Sequence, residues 1–147
     1  MIRILFVCTG NTCRSPMAEA ILKNKAISGI DAKSAGVYAI SGMPASEQAQ
    51  KVLEEQHISH AHQSSSLSNE LVDWATHILT MTEGHKEAVI NMFPKVKEKT
   101  YTLKEFAGHT ADVEIMDPFG GSLEIYRQTY HEIQENIEEI LKRLGNE

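Results

Sequence analysis

Val7-Cys8-Thr9-Gly10-Asn11-Thr12-Cys13-Arg14-Ser15-Pro16 sets a cysteine at the end of an apolar run and an arginine six positions further on. Upstream, Ile2-Arg3-Ile4-Leu5-Phe6-Val7 is rich in β-branched residues and reads as a buried parallel strand. Downstream, Pro16 suits a first helical position, because the N–H it lacks would be unpaired there anyway. Between them, Gly10 tolerates positive φ and Asn11 often adopts it. The stretch therefore predicts a strand, a tight loop and a helix in immediate succession.

Such a loop can turn successive backbone N–H groups inward as an anion nest, with the helix dipole adding positive potential. Arg14 would close the ring with a forked grip on phosphate oxygens. The same surroundings favour the thiolate of Cys8, and Ser15 can donate a hydrogen bond to it. The chemistry this permits is phosphoryl transfer through a covalent phosphocysteine, not metal-assisted hydrolysis. A buried structural cysteine beside an unrelated surface arginine is the plainer reading. The strand–loop–helix context argues against it.

The rest of the chain alternates strands and helices. A helix is expected from Pro16 to about Ile27, with Met17, Ala20 and Ile21 on one face, and a strand over Ala32–Ala35 that stops at Gly36. Val37–Ala45 reads as a loop at the pocket rim, and Ser46 as the cap of a helix to about Gln56 with Ala49, Val52 and Leu53 inward. A short helix over Ser68–Trp74 precedes a strand over His77–Met81, and a further helix runs to about Phe93, ending at Pro94. Thr100–Thr102 is expected as the last strand, with a turn of helix near Leu103–Phe106. Gly120-Gly121-Ser122 starts the final helix. Its apolar stripe is Tyr126, Tyr130, Ile133, Ile137, Ile140, Leu141 and Leu144, and Glu132, Glu135, Glu138 and Glu139 mostly form a solvated face. This pattern predicts an α/β fold of three layers: a central four-stranded parallel sheet flanked by helices, in a single domain over 1–147. The site would lie at the carboxyl end of the first strand.

Asp117-Pro118-Phe119-Gly120-Gly121 is a turn ahead of that helix, and Asp-Pro by itself means no more than a turn. Beside a cysteine nucleophile, an acid is needed to protonate the leaving group and then to activate water. Asp117 is the candidate, with Asp112 and Glu114 nearby. His57, His60 and His62 have metal-like spacing but no accompanying cysteine or carboxylate set, so they read as a surface loop and no metal is assigned. Trp74 reads as core.

With 147 residues, 41% of them hydrophobic and 23% charged, the chain has the makings of an ordinary globular domain. The net charge of −6 argues against general nucleic-acid binding. No apolar stretch approaches the roughly 20 residues of a membrane span, and the opening run does not read as a signal peptide. Two cysteines in one loop argue against a disulfide scaffold, and the expected location is the cytoplasm. Cys13 is either an inert packed thiol or a partner that captures oxidised Cys8 as a disulfide.

The stretch from Val7 to Glu19, Ser34-Ala35-Gly36 and Asp117-Pro118 together resemble the low-molecular-weight protein-tyrosine-phosphatase family. The resemblance implies Cys8 as nucleophile, Arg14 as phosphate clamp and Asp117 as general acid, with Asn11 and Ser15 holding the loop and supporting the thiolate. It tilts Cys13 toward the disulfide role. Substrate contacts fall to Thr9, Gly10, Asn11, Thr12, Cys13, Ser15 and Phe119, with Tyr38 as a wall. The tyrosine-specific pattern has an apolar branched residue at Thr12, aromatic residues after Asp-Pro, and a tryptophan beyond Ser-Ala-Gly. This chain departs from all three and is similar to the bacterial protein-arginine-phosphatase branch. That likeness implies phosphoarginine proteins as substrates, phosphotyrosine being the alternative, with no cofactor and a monomeric enzyme. An arsenate reductase would need relay cysteines beyond the loop, and a mere phosphate-binding module would need neither nucleophile nor acid.

Overall fold

The computed structural model describes residues 1–145. Strand β1 (Ile2–Cys8) runs through its centre, and residues Ile4 to Cys8 are all buried. Successive side chains of a strand point to opposite faces. Ile4, Phe6 and Cys8 accordingly enter one apolar cluster, and Leu5 and Val7 the other. Two-sided burial is why this strand is apolar throughout and does not alternate.

The elements follow in the order β1, α1 (Arg14–Asn24), β2 (Ile30–Gly36), α2 (Glu47–Glu55), α3 (Asn69–Trp74), β3 (His77–Thr80) and α4 (Glu83–Met92). A 3₁₀ segment over Pro94–Lys99 leads into β4 (Thr100–Thr102), α5 (Leu103–Phe106) and α6 (Leu123–Arg143). The four strands are parallel, in the spatial order β2-β1-β3-β4. Cys8 pairs with Gly36 on one side, and Val7 with Thr80 on the other. The chain thus leaves β1 toward one edge and later returns to its other side. This reversal of strand order creates the crevice at the carboxyl ends where open α/β sheets bind ligands.

Helices α1, α2 and α6 cover one face through Met17, Ile21, Ala49, Val52, Tyr130, Ile133 and Ile137. On the other, α3, α4 and the 3₁₀ segment contribute Val72, Val89 and Val96. Helix starts follow local chemistry. Ser46, Ser68, Thr82 and Ser122 each accept a hydrogen bond from an N–H of the first turn, and Thr102 and Glu105 form a reciprocal capping box. In α6 the expected stripe from Tyr126 to Leu141 is buried, while Leu144 is half-buried. Among the described residues no helix is long and apolar enough to cross a membrane.

Several expectations need correction. Helix α1 begins at Arg14, so Pro16 is its third residue; it remains in the first turn, where N–H groups have no helical acceptor. The helix ends at Asn24 instead of Ile27, and Ala26 at φ 50 has already left it. Pro94 opens a 3₁₀ turn. Trp74 is only half-buried, with Lys33 Nζ 4.6 Å from its ring centroid. Glu132 leaves the solvated face to pair with buried Lys104 at 2.6 Å.

Candidate active site

The loop after β1 is held by contacts distant in sequence. Asn11 has the left-handed φ of 57 that its residue type suggested. Its Nδ2 donates to Ser15 Oγ at 2.8 Å, and its Oδ1 accepts from Ser65 N at 2.8 Å. His62 Nε2 lies 2.7 Å from Asn11 O. Gly36 packs so closely that a Cβ there would collide with Thr9 O and Asn11 N. Among the described residues none accepts a hydrogen bond from the N–H groups of residues 10–14. Such unpaired donors ahead of a helix N-terminus are what an anion requires.

Cys8 is buried, with Sγ 2.8 Å from Ser15 Oγ. Because Asn11 Nδ2 already donates to that oxygen, the hydroxyl hydrogen of Ser15 is free to point at the sulfur. A donor aimed there favours the thiolate. Arg14 is buried too. Its Nη1 donates to Ile115 O at 2.8 Å, Nη2 lies 3.7 Å from Asp117 Oδ2, and Nε is buried without a protein partner. One nitrogen therefore anchors the guanidinium while others stay available to an oxyanion.

Cys8, Thr9, Gly10, Thr12, Cys13, Arg14, Asp117 and Phe119 line a cavity of about 280 Å³. The Phe119 N–H donates to Asp117 Oδ1 at 3.0 Å, an Asx turn that orients the carboxylate. Gly120 at φ 77 and the Gly121 N–H to Pro118 O bond turn the chain sharply toward α6. Asp112 and Glu114 are engaged elsewhere, Asp112 with Lys104 and Glu114 with Glu83 N, and neither lines the cavity.

The expected residues thus divide three ways. Thr9, Gly10, Thr12, Cys13 and Phe119 line the cavity, whereas Asn11 and Ser15 lie buried and outside its lining. Tyr38 does not line it. Its side chain is exposed, and only its backbone N–H serves the loop, donating to Thr9 O at 2.9 Å. Both cysteines are free and buried, and Cys13 Sγ lies 3.3 Å from Tyr126 OH. Burial, and then the hydrogen bond with Cys13, push the Tyr126 phenol up to about 12, so it stays protonated.

His85 was not anticipated. From the first turn of α4, its Nε2 meets Thr9 Oγ1 at 2.8 Å. Burial, reinforced by the Arg14 guanidinium, pushes its pKa down to about 4, so the ring is neutral near pH 7. Ser65 and His62 were missed as well. They lie in a segment without regular structure that folds back on the loop; no local pattern marks Ser65, and the histidine spacing that marked His62 did not point to Asn11.

Residues 3–147 match the family described as low molecular weight phosphotyrosine protein phosphatase. A protein-arginine-phosphatase of Geobacillus stearothermophilus is 52% identical over 145 residues, which are 99% of this chain and 97% of the relative. The solved YwlE arginine phosphatase from the same organism superposes with a TM-score of 0.96 at 52% identity, covering 99% of this chain and 94% of its own. A YwlE arginine phosphatase mutant with a phosphorylated active-site serine superposes at 0.92 and 40% identity, covering 98% and 96%. With the loop geometry and this end-to-end similarity together, the chain belongs to the low-molecular-weight phosphotyrosine protein phosphatase family.

Proposed function

We propose that the protein hydrolyses phosphoarginine in protein substrates, with Cys8 as nucleophile, Arg14 as phosphate clamp and Asp117 as general acid and then base. The observation that supports this best is Thr12. It brings a hydroxyl to the wall of the cavity that also holds Cys8, Arg14 and Asp117. A planar guanidino group is polar and hydrogen-bonding, so a hydroxyl orients it where an apolar side chain does not. The relatives named as arginine phosphatases support the same reading.

The Cys8 thiolate attacks phosphorus in line with the P–N bond while Arg14 and the loop N–H groups bind the phosphoryl oxygens. The P–N bond breaks as protonated Asp117 delivers its proton to the leaving guanidino nitrogen, and arginine departs. The Asp117 carboxylate then takes a proton from water, whose oxygen attacks the phosphocysteine. Phosphate leaves and the Cys8 thiolate returns, stabilised by the Ser15 hydroxyl at 2.8 Å. Two free thiols at the site suit a reducing compartment, and the reading places a monomeric enzyme in the cytoplasm.

Turnover of phosphoarginine and phosphotyrosine by wild type and Thr12→Ile tests the substrate. Wild type should prefer phosphoarginine, and Thr12→Ile should shift the preference toward phosphotyrosine by about tenfold, the worth of a lost hydrogen bond. A wild type that prefers phosphotyrosine ends the arginine reading. Separately, Cys8→Ser should still bind phosphate but not turn over.

A further inference from the structure

We propose that Glu19, His60 and His62 form a zinc-binding site outside the catalytic cavity, against the Asn11 end of the phosphate loop. Each offers one ligand atom, and these atoms lie within 4.8 Å of one another. His57, which shares the sequence spacing, is exposed and outside the group. Glu19, which the sequence pattern did not connect with the histidines, is brought to them by α1.

Each ligand is prepared in a different way. The His60 side chain is only 9% exposed, and its Nε2 is buried without a hydrogen-bond partner. That atom stands 3.9 Å from Glu19 Oε2, too far for a hydrogen bond. An ion held about 2.0–2.1 Å from each would bridge the gap after a small side-chain rotation. A carbonyl only accepts, so His62 Nε2 must carry the proton it gives to Asn11 O, which leaves Nδ1 with a lone pair. Glu19 Oε1 accepts from the Ser34 hydroxyl at 2.5 Å, leaving Oε2 for the ion. Outer hydrogen bonds to a carbonyl and a hydroxyl are the supports that orient metal-binding histidines and carboxylates.

Two imidazoles and one carboxylate, with water in a fourth position, are a donor set for zinc and unlike the oxygen cages of calcium or magnesium. The present counter-charge is Lys23, whose Nζ is 2.9 Å from Glu19 Oε2 on a side chain 45% exposed. Zinc must displace this ammonium, which can swing into solvent. An occupied site would tie α1 and the histidine segment to Asn11 without entering the catalytic cavity.

The test is calorimetric titration of zinc into untagged full-length protein carrying Cys8→Ser and Cys13→Ser, so that thiolates do not compete. One zinc per chain is expected. Glu19→Gln or His60→Ala should weaken binding by at least about tenfold. Lys23→Ala should tighten it several-fold, and this exposed change keeps the test decisive if a His60 variant fails to fold. Cobalt in place of zinc should show a four-coordinate visible spectrum. Absence of stoichiometric binding at micromolar zinc, unchanged affinity in His60→Ala, or weaker binding in Lys23→Ala would each overturn the site.

Discussion

Ser15 Oγ and Cys8 Sγ are 2.8 Å apart, and the amide of Asn11 occupies Ser15 from the other side, which directs the hydroxyl hydrogen to the sulfur. A hydrogen bond to a charged group contributes about 1.5–3 kcal/mol. Ser15→Ala should therefore lower kcat by roughly 10- to 100-fold, with little change in vanadate affinity. Unchanged kcat would show that the sulfur does not depend on this donor.

Asp117 faces the cavity with Oδ2 3.7 Å from Arg14 Nη2, where it can reach a leaving group and later a water. Asp117→Asn should reduce kcat on phosphoarginine by about 10²–10⁴. The loss should be much smaller for an aryl phosphate whose leaving group needs no proton. Equal losses on both substrates would remove Asp117 as the acid.

Gly36 lies under the loop where any Cβ meets Thr9 O and Asn11 N. Gly36→Ala should displace those atoms and cut kcat/KM by about 10²-fold, the cost of a misplaced reactive group. Steady-state kinetics beside a thermal melt check this. A fully active variant would mean the loop is not held by this contact.

His85 sits near pKa 4 when folded and near 6.5 when exposed. Between those values the unfolded chain binds a proton that the folded chain refuses, so stability should fall as pH drops from about 6.5 to about 4 and this contribution then levels off. His85→Gln should flatten that part of the profile. Urea unfolding at several pH values reads the slope, and parallel profiles would exclude His85 as a source.

Cys8 and Cys13 line the same cavity as free thiols. Peroxide should convert Cys8 to a sulfenic acid that Cys13 captures as a disulfide with release of water, whereas without Cys13 further peroxide should carry it on to the sulfinic acid, which dithiothreitol does not reduce. Dithiothreitol should then restore activity in wild type but not in Cys13→Ser. Equal recovery in the two would leave Cys13 a packing residue.

Much of the fold was legible because its cues are local. The two-sided burial of β1 shows as an unbroken apolar run, and caps such as Ser46, Ser68 and Ser122 announce their helices within one turn. Cys8, Arg14 and Ser15 belong to the same legible class, because a strand, a tight loop and a helix bring them together over a few residues. The unexpected 3₁₀ turn at Pro94 and the early end of α1 near Ala26 are choices of one or two backbone angles, which propensity does not resolve.

The amino-acid order alone marked a strand, a tight loop suited to an anion and a helix, with a cysteine at the end of the first strand of a parallel α/β sheet. It could not say that His85 braces Thr9, that His62 and Ser65 hold Asn11, that Tyr126 meets Cys13, or that Tyr38 turns away from the cavity. Those contacts join residues separated by 51 to 113 positions. No short-range pattern encodes such pairs. They are decided when chain folding packs distant segments around the end of β1, and the buried polar groups there take whichever partners lie in reach.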